Sequence, residues 1–128
     1  METKKETKQY ATANGWYLVG YCPVDSGQLM IVDPCYLNQW KDNEYGATSD
    51  YAFSYAGACN KTIDHTSGSL EGTAVVTSTT YGDGTYPVYI NFENGKATEM
   101  RVLMDGNKLS RDGRYIDEYE DEYEEDDF

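Results

Sequence analysis

An apolar segment between turn residues constrains the fold of this chain most strongly. Gln28–Val32 holds four consecutive apolar residues and follows Asp25-Ser26-Gly27, a triplet typical of turns. Such a run suits a strand covered on both faces or a buried helical turn, and its short length favours the strand. Asp33 followed by Pro34 predicts the start of a helix. The Asp side chain accepts hydrogen bonds from the free backbone amides of the first turn, and Pro has no N–H that needs an acceptor. We therefore expect a strand, a sharp cap and a short helix over 34–40.

The short helix is expected to present Leu37 and Trp40 to the core, because these residues are three positions apart. Trp16–Cys22 has the β-branched and aromatic character of a first strand. The Asp25 turn separates it from the apolar segment, so the two strands are expected to form a hairpin.

The middle of the chain gives weaker signals. Within Asp50–Cys59, Tyr51, Phe53 and Tyr55 alternate with smaller residues, which favours a strand over a helix. Asn60–Gly72 is rich in Thr, Ser, Asn and Gly, and is expected to be a loop or a weak strand.

A hairpin is the clearest local prediction. Asn94-Gly95 tolerates the positive φ angles of a type I′ turn, and strand-like sequence lies on both sides of it, Thr85–Glu93 and Lys96–Met104. A phase slip is expected near Glu99, where the apolar alternation breaks. The strand-like Gly72–Tyr81 should precede this hairpin in a meander of at least three antiparallel strands. One face of the first arm should carry Val88, Ile90 and Phe92.

Together these patterns predict a mainly β fold, β-rich α+β, in which an antiparallel meander forms a sandwich or small barrel with one short helix after Asp33-Pro34. The chain of 128 residues has the length of one domain. We expect a flexible leader over 1–14, a single β-rich domain over 15–109 and an acidic disordered tail over 110–128.

The charge is concentrated near the end of the chain. Of the net charge of −13, nine acidic residues with no basic one lie in Asp117–Asp127, which leaves about −4 for the rest. A chain of this charge is repelled by phosphates, so direct nucleic-acid binding is disfavoured. No apolar run approaches the roughly 20 residues that span a bilayer, so membrane insertion is not expected. Three cysteines without a CxxC pair fit a reducing compartment, and we expect a cytoplasmic protein.

A candidate ligand site lies at the predicted corner between strand and helix. Asp25 and Asp33 flank the apolar strand and could reach a shared polar site for a cation or a hydroxyl group. The alternative is that both are ordinary turn and cap residues, which we favour. The complete candidate set at this corner is Asp25, Ser26, Asp33, Cys35 and Tyr36.

The cysteines allow two chemical interpretations, a nucleophilic site and a zinc site. Cys35 near a helix start, with His65 and an aspartate, could form a nucleophilic site. Cys22, Cys35 and Cys59 with His65 have the ligand types of a zinc site but not its close-paired spacing. We favour cysteines that pack as small core residues and a solvated histidine. The sequence thus predicts no metal or cofactor and leans against an enzyme.

The tail offers a route to a protein partner with a basic surface. Tyr115, Tyr119 and Tyr123 recur every four residues among acids, a spacing that would align them on one helical face, although the packed charges favour disorder. Carboxylates with interleaved aromatics could imitate a nucleic-acid backbone; the alternative is a solubilising extension. The candidate partner-binding residues are Tyr115, Tyr119, Glu120, Asp121, Glu122, Tyr123, Glu124 and Glu125. An exposed edge strand could also pair two copies of the chain.

One stretch resembles a known signature. Val24–Leu37, with the sequence VDSGQLMIVDPCYL, resembles a signature of small uncharacterised phage proteins. Gly84–Val88 (GTYPV) with Arg101-Val102 is similar, more distantly, to a bacterial domain of unknown function. The resemblance implies a β-rich fold and a phage or prophage origin, and it brings no catalytic residues.

Two functions of different classes follow as expectations. The first is a phage-type accessory protein that binds a host or phage macromolecule and inhibits a nucleic-acid-handling or defence enzyme through acidic surface. The second is a small-molecule-binding or hydrolytic domain at the Asp25, Asp33, Cys35 and Tyr36 corner.

Overall fold

The computed structural model describes residues 9–40 and 52–116, which form two compact units. Unit 1 comprises the described residues of Met1–Pro23 and Thr85–Phe128, and unit 2 those of Val24–Gly84. The helices are a 3₁₀ helix, Pro34–Gln39, and α1, Tyr55–His65. The strands are β1 (Gly15–Val24), β2 (Gln28–Val32), β3 (Ser67–Ser69), β4 (Ala74–Ser78), β5 (Gly84–Glu93), β6 (Lys96–Val102), β7 (Lys108–Leu109) and β8 (Tyr115–Ile116).

Unit 1 is built on a three-stranded sheet in the order β1-β5-β6. The predicted hairpin is confirmed: Glu93 pairs with Lys96, and Asn94 and Gly95 have φ angles of 51° and 81°. The predicted phase slip is also present, because Asn91 pairs with Glu99 whereas Phe92 pairs with Ala97. This leaves one extra residue, Thr98, in β6. Its hydroxyl donates to the Asn91 carbonyl at 3.1 Å, which fixes the bulge.

The core of unit 1 contains Trp16, Tyr89, Leu103 and Leu109, all buried. Of the face predicted for β5, Phe92 is buried, whereas Val88 and Ile90 are only partly buried. The buried aromatic within the main core is instead Tyr89. The strand thus contributes large side chains to both of its faces, as strand alternation requires.

The described part of the predicted leader is folded onto the hairpin. Tyr10 stacks on Phe92 with ring centroids 4.7 Å apart, and Ala13 is buried. The Asn14 side chain accepts a hydrogen bond from the Asn94 amide at 2.9 Å. The prediction of a flexible leader is therefore wrong for residues 9–14, whose short sequence gave no sign of these distant partners.

The predicted start of the tail at Ser110 is also wrong. Residues 110–116 form the turn and second strand of the β7–β8 hairpin, in which Leu109 pairs with Tyr115. The Trp16 amide donates to the Arg111 carbonyl at 2.8 Å, and Ile116 is buried. The tail residues 117–128 lie outside the described residues.

Unit 2 combines α1 with a sheet in the order β2-β4-β3. All three strands pair antiparallel, with Met30 opposite Val76 and Gly68 opposite Val76 on the other side. Its core cluster consists of buried residues from α1, the sheet and the segments beside them, Phe53, Ala58, Leu70, Ala74 and Val76. Met30, Val32 and Trp40 pack against this cluster. Both larger sheets are open, so the β-rich class is confirmed without a closed barrel.

The helix α1 corrects the strand predicted for Asp50–Cys59 and the first part of the loop or weak strand predicted for Asn60–Gly72, within which Ser67–Ser69 is the short strand β3. Ser54 caps this helix: its hydroxyl accepts from the Gly57 amide at 2.9 Å, and the residue is fully buried. Ala56 and Ala58 are also buried. The serine cap, together with the packing of Ala58 in the core of unit 2, outweighs the aromatic alternation.

Two predicted strand pairings are wrong. β1 lies beside β5 rather than β2, and β4 lies between β2 and β3 rather than in a meander with β5. Leu37 is also not a core residue, since half of it is exposed, whereas Trp40 packs edge-on against Phe53 at 5.1 Å as expected for a core residue. Within residues 9–40 and 52–116, no helix has the length and apolarity needed to cross a membrane.

Candidate functional site

β2 is one of the two edge strands of the unit 2 sheet. The Thr79 amide donates to the Gly27 carbonyl at 2.9 Å, and these residues stand opposite each other when the β2–β4 register is continued by one step. Hydrogen-bonded pairs alternate along an antiparallel ladder. Leu29 and Ile31 therefore bond to β4, whereas the backbone groups of the alternate residues point away from it. These outward-directed residues are Gln28, Met30 and Val32.

Hydrogen bonds on the far side of β4 support this assignment. The Leu70 amide donates to the Ala74 carbonyl, and the Ser78 amide donates to the Thr66 carbonyl, each at 2.8 Å. The backbone N–H and C=O groups of the even-numbered residues of β4 thus bond to β3. The odd-numbered residues, Val75 among them, are left to bond with β2. Within the part of the chain that the structure describes, no strand lies on the other side of β2.

The outer face of this sheet is apolar at its centre. Ile31 and Val75 are directly opposite each other, and they are 62% and 53% exposed. Leu29 lies on the same face and is partly buried. This exposure contradicts the expectation of a strand covered on both faces. An unbroken apolar run cannot distinguish a buried strand from one that exposes apolar residues.

The inner face of β2 is held to α1. The Gln28 amide group donates to the Cys59 sulfur at 3.4 Å, and its carbonyl oxygen accepts from the Thr62 hydroxyl at 3.1 Å. Met30 and Val32 pack against the core on the same side. The strand is therefore fixed in place on its inner face, while no described strand pairs with its outer edge.

The predicted cap after β2 is present. Asp33 accepts from the Cys35 amide at 2.9 Å and precedes Pro34 at the helix start. The helix is a 3₁₀ helix, and none of its residues is buried. Tyr36 and Leu37 are 41% and 51% exposed, which adds apolar surface immediately after the strand.

The two aspartates proposed for a shared ligand site lie at opposite ends of β2. Asp25 and Ser26 are exposed in the bend before the strand, and Asp33 is exposed after it. The five residues of the strand span about 13 Å from first to last Cα at the usual rise. The structure therefore gives β2 one exposed carboxylate at each end.

Negative charge dominates unit 2. Its described residues include one lysine, Lys61, and five carboxylates, which gives a net charge of −4 with histidine neutral. Those carboxylates belong to Asp25, Asp33, Asp64, Glu71 and Asp83.

A polar cleft of about 310 Å³ lies elsewhere in unit 2, beside the C-terminal half of α1 and the β3–β4 turn. Its polar lining residues are Asn60, Lys61, Asp64, His65, Ser69 and Glu71. The stem of Lys61 lies against Gly68, where an added Cβ would be 2.6 Å from the lysine Cδ. Cys35 is not part of this lining, so the cleft does not unite the proposed nucleophile with His65.

The cysteines occupy separate settings. Cys35 is exposed on the 3₁₀ helix, Cys59 accepts the Gln28 hydrogen bond, and the Cys22 thiol donates to the Pro23 carbonyl at 3.9 Å. Among residues 9–40 and 52–116, no three His, Cys, Asp or Glu side chains are grouped to hold a metal ion.

Only the first of the proposed tail residues is described. Tyr115 is exposed and lies in β8, a strand rather than the helix its spacing with Tyr119 and Tyr123 allowed. The other partner-binding candidates, Tyr119 to Glu125, lie outside the described residues.

Comparisons with protein-family models, with curated proteins and with solved structures give no match.

Proposed function

We propose that this chain is a non-catalytic accessory protein of phage type that binds a protein with a basic surface. The exposed apolar surface of unit 2, at Ile31, Leu37 and Val75, supports this proposal, because the described residues of the unit have a net charge of −4. The resemblance of Val24–Leu37 to phage proteins covers the same strand and helix, and it supports the phage origin.

The arrangement has the parts of a protein-binding surface. Protein interfaces combine an apolar centre that loses its water with a polar rim that sets partner choice. Ile31 and Val75 supply the centre, and Asp25 and Asp33 supply acidic groups at either end of β2. A partner with lysine or arginine around an apolar patch would complement both features.

The acidic C-terminal segment adds to this attraction. Asp117–Asp127 holds nine acidic residues, more than the described part of unit 2. Charges of this density accelerate encounter with a basic partner and make binding sensitive to salt. Enzymes that handle nucleic acids have basic surfaces for phosphates. We therefore propose a nucleic-acid-handling or defence enzyme as the target that this acidic surface inhibits.

Affinity capture from a bacterial host lysate tests the proposal, followed by binding measurements with the purified captured protein. The bait is compared with an Asp25→Asn, Asp33→Asn double variant, because Asn removes both charges while it remains a good cap at position 33. Asp64→Asn is the matched control, since it removes a carboxylate of the same unit on α1. A chain that ends at Ile116 removes the acidic segment and keeps β8.

We expect one basic protein to bind the full chain and Asp64→Asn, to bind the double variant several-fold more weakly, and to be released by moderate salt. The chain ending at Ile116 should associate more slowly. Retention of a partner equally by all four chains at high salt would contradict an electrostatic surface, and so would the absence of any specific partner.

A further inference from the structure

We propose that the free edge of β2 accepts an extended segment of the partner as an added strand, one with alternate apolar residues and lysine or arginine at its ends. The inference rests on the proposed binding function and specifies its mode. Strand addition of this kind gains affinity from backbone hydrogen bonds and specificity from alternate side chains.

The outward-directed backbone groups of β2 are suited to strand addition. The N–H and C=O groups of Gln28, Met30 and Val32 are directed away from β4, toward the open edge. An extended peptide can use all of them without disturbing an existing sheet bond. Because Gln28 is already tied to Cys59 and Thr62, this strand needs little ordering when a partner binds.

Two of the other described edge strands, β6 and β3, have features that block strand addition, whereas the edge strand β1 has no charged residue and has Pro23 near its end. β6 has the Thr98 bulge and three charged residues, Lys96, Glu99 and Arg101. β3 is a three-residue Ser-Gly-Ser strand, which is too short to hold a long partner. Charges, bulges and shortness are the usual protections of edge strands. β2 has no charge, no bulge and no proline along Gln28–Val32.

The exposed face of β2 specifies the side chains of the incoming strand. Residues that are opposite each other on neighbouring strands have Cβ atoms about 5 Å apart. An added strand would therefore place every second side chain beside Leu29 and Ile31 on the outer face. Apolar residues at those positions would cover Ile31, which is otherwise mostly exposed.

The two ends of β2 specify the charge. Asp25 precedes the strand and Asp33 follows it, and both are exposed. Lysine or arginine flanking the apolar core of the partner segment would face a carboxylate at each end. The absence of basic residues over 9–40 leaves these carboxylates without a competing cation in the same stretch of chain.

The same charges argue against a second copy of this chain as the occupant. Antiparallel pairing of two β2 strands about Met30 would place Asp33 opposite Gly27 of the other copy, two residues from its Asp25. Two pairs of like charges would then approach each other, one at each end of the joint sheet, at a free-energy cost. A basic-flanked segment has no such conflict.

The direct test uses a fluorescent probe peptide in which paired lysines flank an alternating valine–threonine segment. Its binding to the full chain is measured by anisotropy over a range of salt. A second peptide has the same sequence with methylated amides along one edge, so it keeps its charge and side chains but cannot pair as a strand. Ile31→Lys is compared with Val75→Lys, which puts the same charge on the same sheet face but on the central strand.

We expect the methylated peptide to bind about tenfold more weakly, because at least two backbone hydrogen bonds are lost. Ile31→Lys should weaken binding of the unmethylated peptide more than Val75→Lys does. Equal affinity of the two peptides would overturn strand addition, and so would no binding of either. Self-association of the full chain that Ile31→Lys abolishes would assign the edge to a second copy and overturn the proposal.

Failure here is distinguishable from failure of the proposed function. If a captured basic protein binds the chain in an Asp25- and Asp33-dependent manner while the peptides do not bind, the binding function stands and strand addition is wrong.

Discussion

Ile31 and Val75 stand opposite each other on β2 and β4, and both side chains are more than half exposed. The next pair along the ladder, Met30 and Val76, faces the core, and Val76 is buried. The same two strands therefore have apolar residues on both faces, although only one face contributes to the core. We propose that the outer pair contacts another molecule.

Replacement of the outer pair should leave the fold intact. Ile31→Thr and Val75→Thr should each change the free energy of unfolding by less than about 0.5 kcal/mol, since exposed substitutions seldom do more. The inward-facing Val76→Ala should cost about 2 kcal/mol, because it removes buried methyl groups and leaves a cavity. Urea denaturation measures all three. A cost for Ile31→Thr as large as that for Val76→Ala would show that the outer face is covered.

The β5–β6 turn should not tolerate a side chain at Gly95. This residue has a φ angle of 81°, and an added Cβ would lie 2.0 Å from the Ala11 carbonyl oxygen. We expect Gly95→Ala to lower the free energy of unfolding by about 3 kcal/mol, from backbone strain and the clash together. Gly106 has a φ angle of 87° with nothing near its Cβ position. Gly106→Ala should therefore cost only about 1 kcal/mol, and equal costs would be inconsistent with packing of residues 9–14 on the hairpin.

Truncation should locate the end of the folded region. A chain that ends at Ile116 keeps the β7–β8 hairpin and should unfold at the same urea concentration as the full chain. A chain that ends at Ser110 loses buried Ile116 and the bonds between Arg111 and Trp16, including Arg111 Nε to the Trp16 carbonyl at 2.9 Å. It should be less stable by about 3 kcal/mol. Equal stability of the two truncated chains would contradict the corrected boundary.

Asp112 should titrate below the ordinary range. A hydrogen bond from the Ser110 hydroxyl lowers the pKa of Asp112 from its usual 3.8, and a hydrogen bond from Arg114 Nε at 3.1 Å adds to the effect. Because the folded-state pKa is the lower one, this contribution to stability is present above about pH 4 and is lost as the pH falls through the folded-state pKa. NMR titration of the carboxyl carbon should show the low pKa, and Ser110→Ala should raise it. A pKa at or above 3.8 in the full chain would refute this assignment.

Local signals predicted the parts of the fold that depend on a few adjacent residues. Asn94-Gly95 requires positive φ angles, and Asp33-Pro34 caps a helix through its own side chain, so neither depends on distant contacts. The bulge near Glu99 was visible for the same reason, as a break in alternation. The Asp33-Pro34 signal also predicted the 3₁₀ helix, although Leu37 of this helix is exposed rather than in the core.

Pairings between distant segments were not predictable in the same way. The neighbour of β1 is β5, some seventy residues later, and chain order alone favoured the adjacent β2. The aromatic alternation of Tyr51, Phe53 and Tyr55 hid the Ser54 cap, which became decisive only with α1 packed on the sheet. Asp25, Asp33 and Tyr36 of the predicted ligand corner lie beside the candidate surface, and their role in binding stays a prediction. The exposure of the outer face of β2 was missed, because the sequence of an apolar run is the same whether the second face of the strand is covered or exposed.

Amide hydrogen exchange in β2 of the free chain tests directly whether the outer edge of this strand is open. The amides of Leu29 and Ile31 bond to β4 and should exchange slowly, whereas those of Gln28, Met30 and Val32 should exchange quickly because their edge is open. Binding of the partner should then slow exchange at Met30. Slow exchange of all five amides in the free chain would show that another part of the molecule already occupies the edge, and would contradict the account.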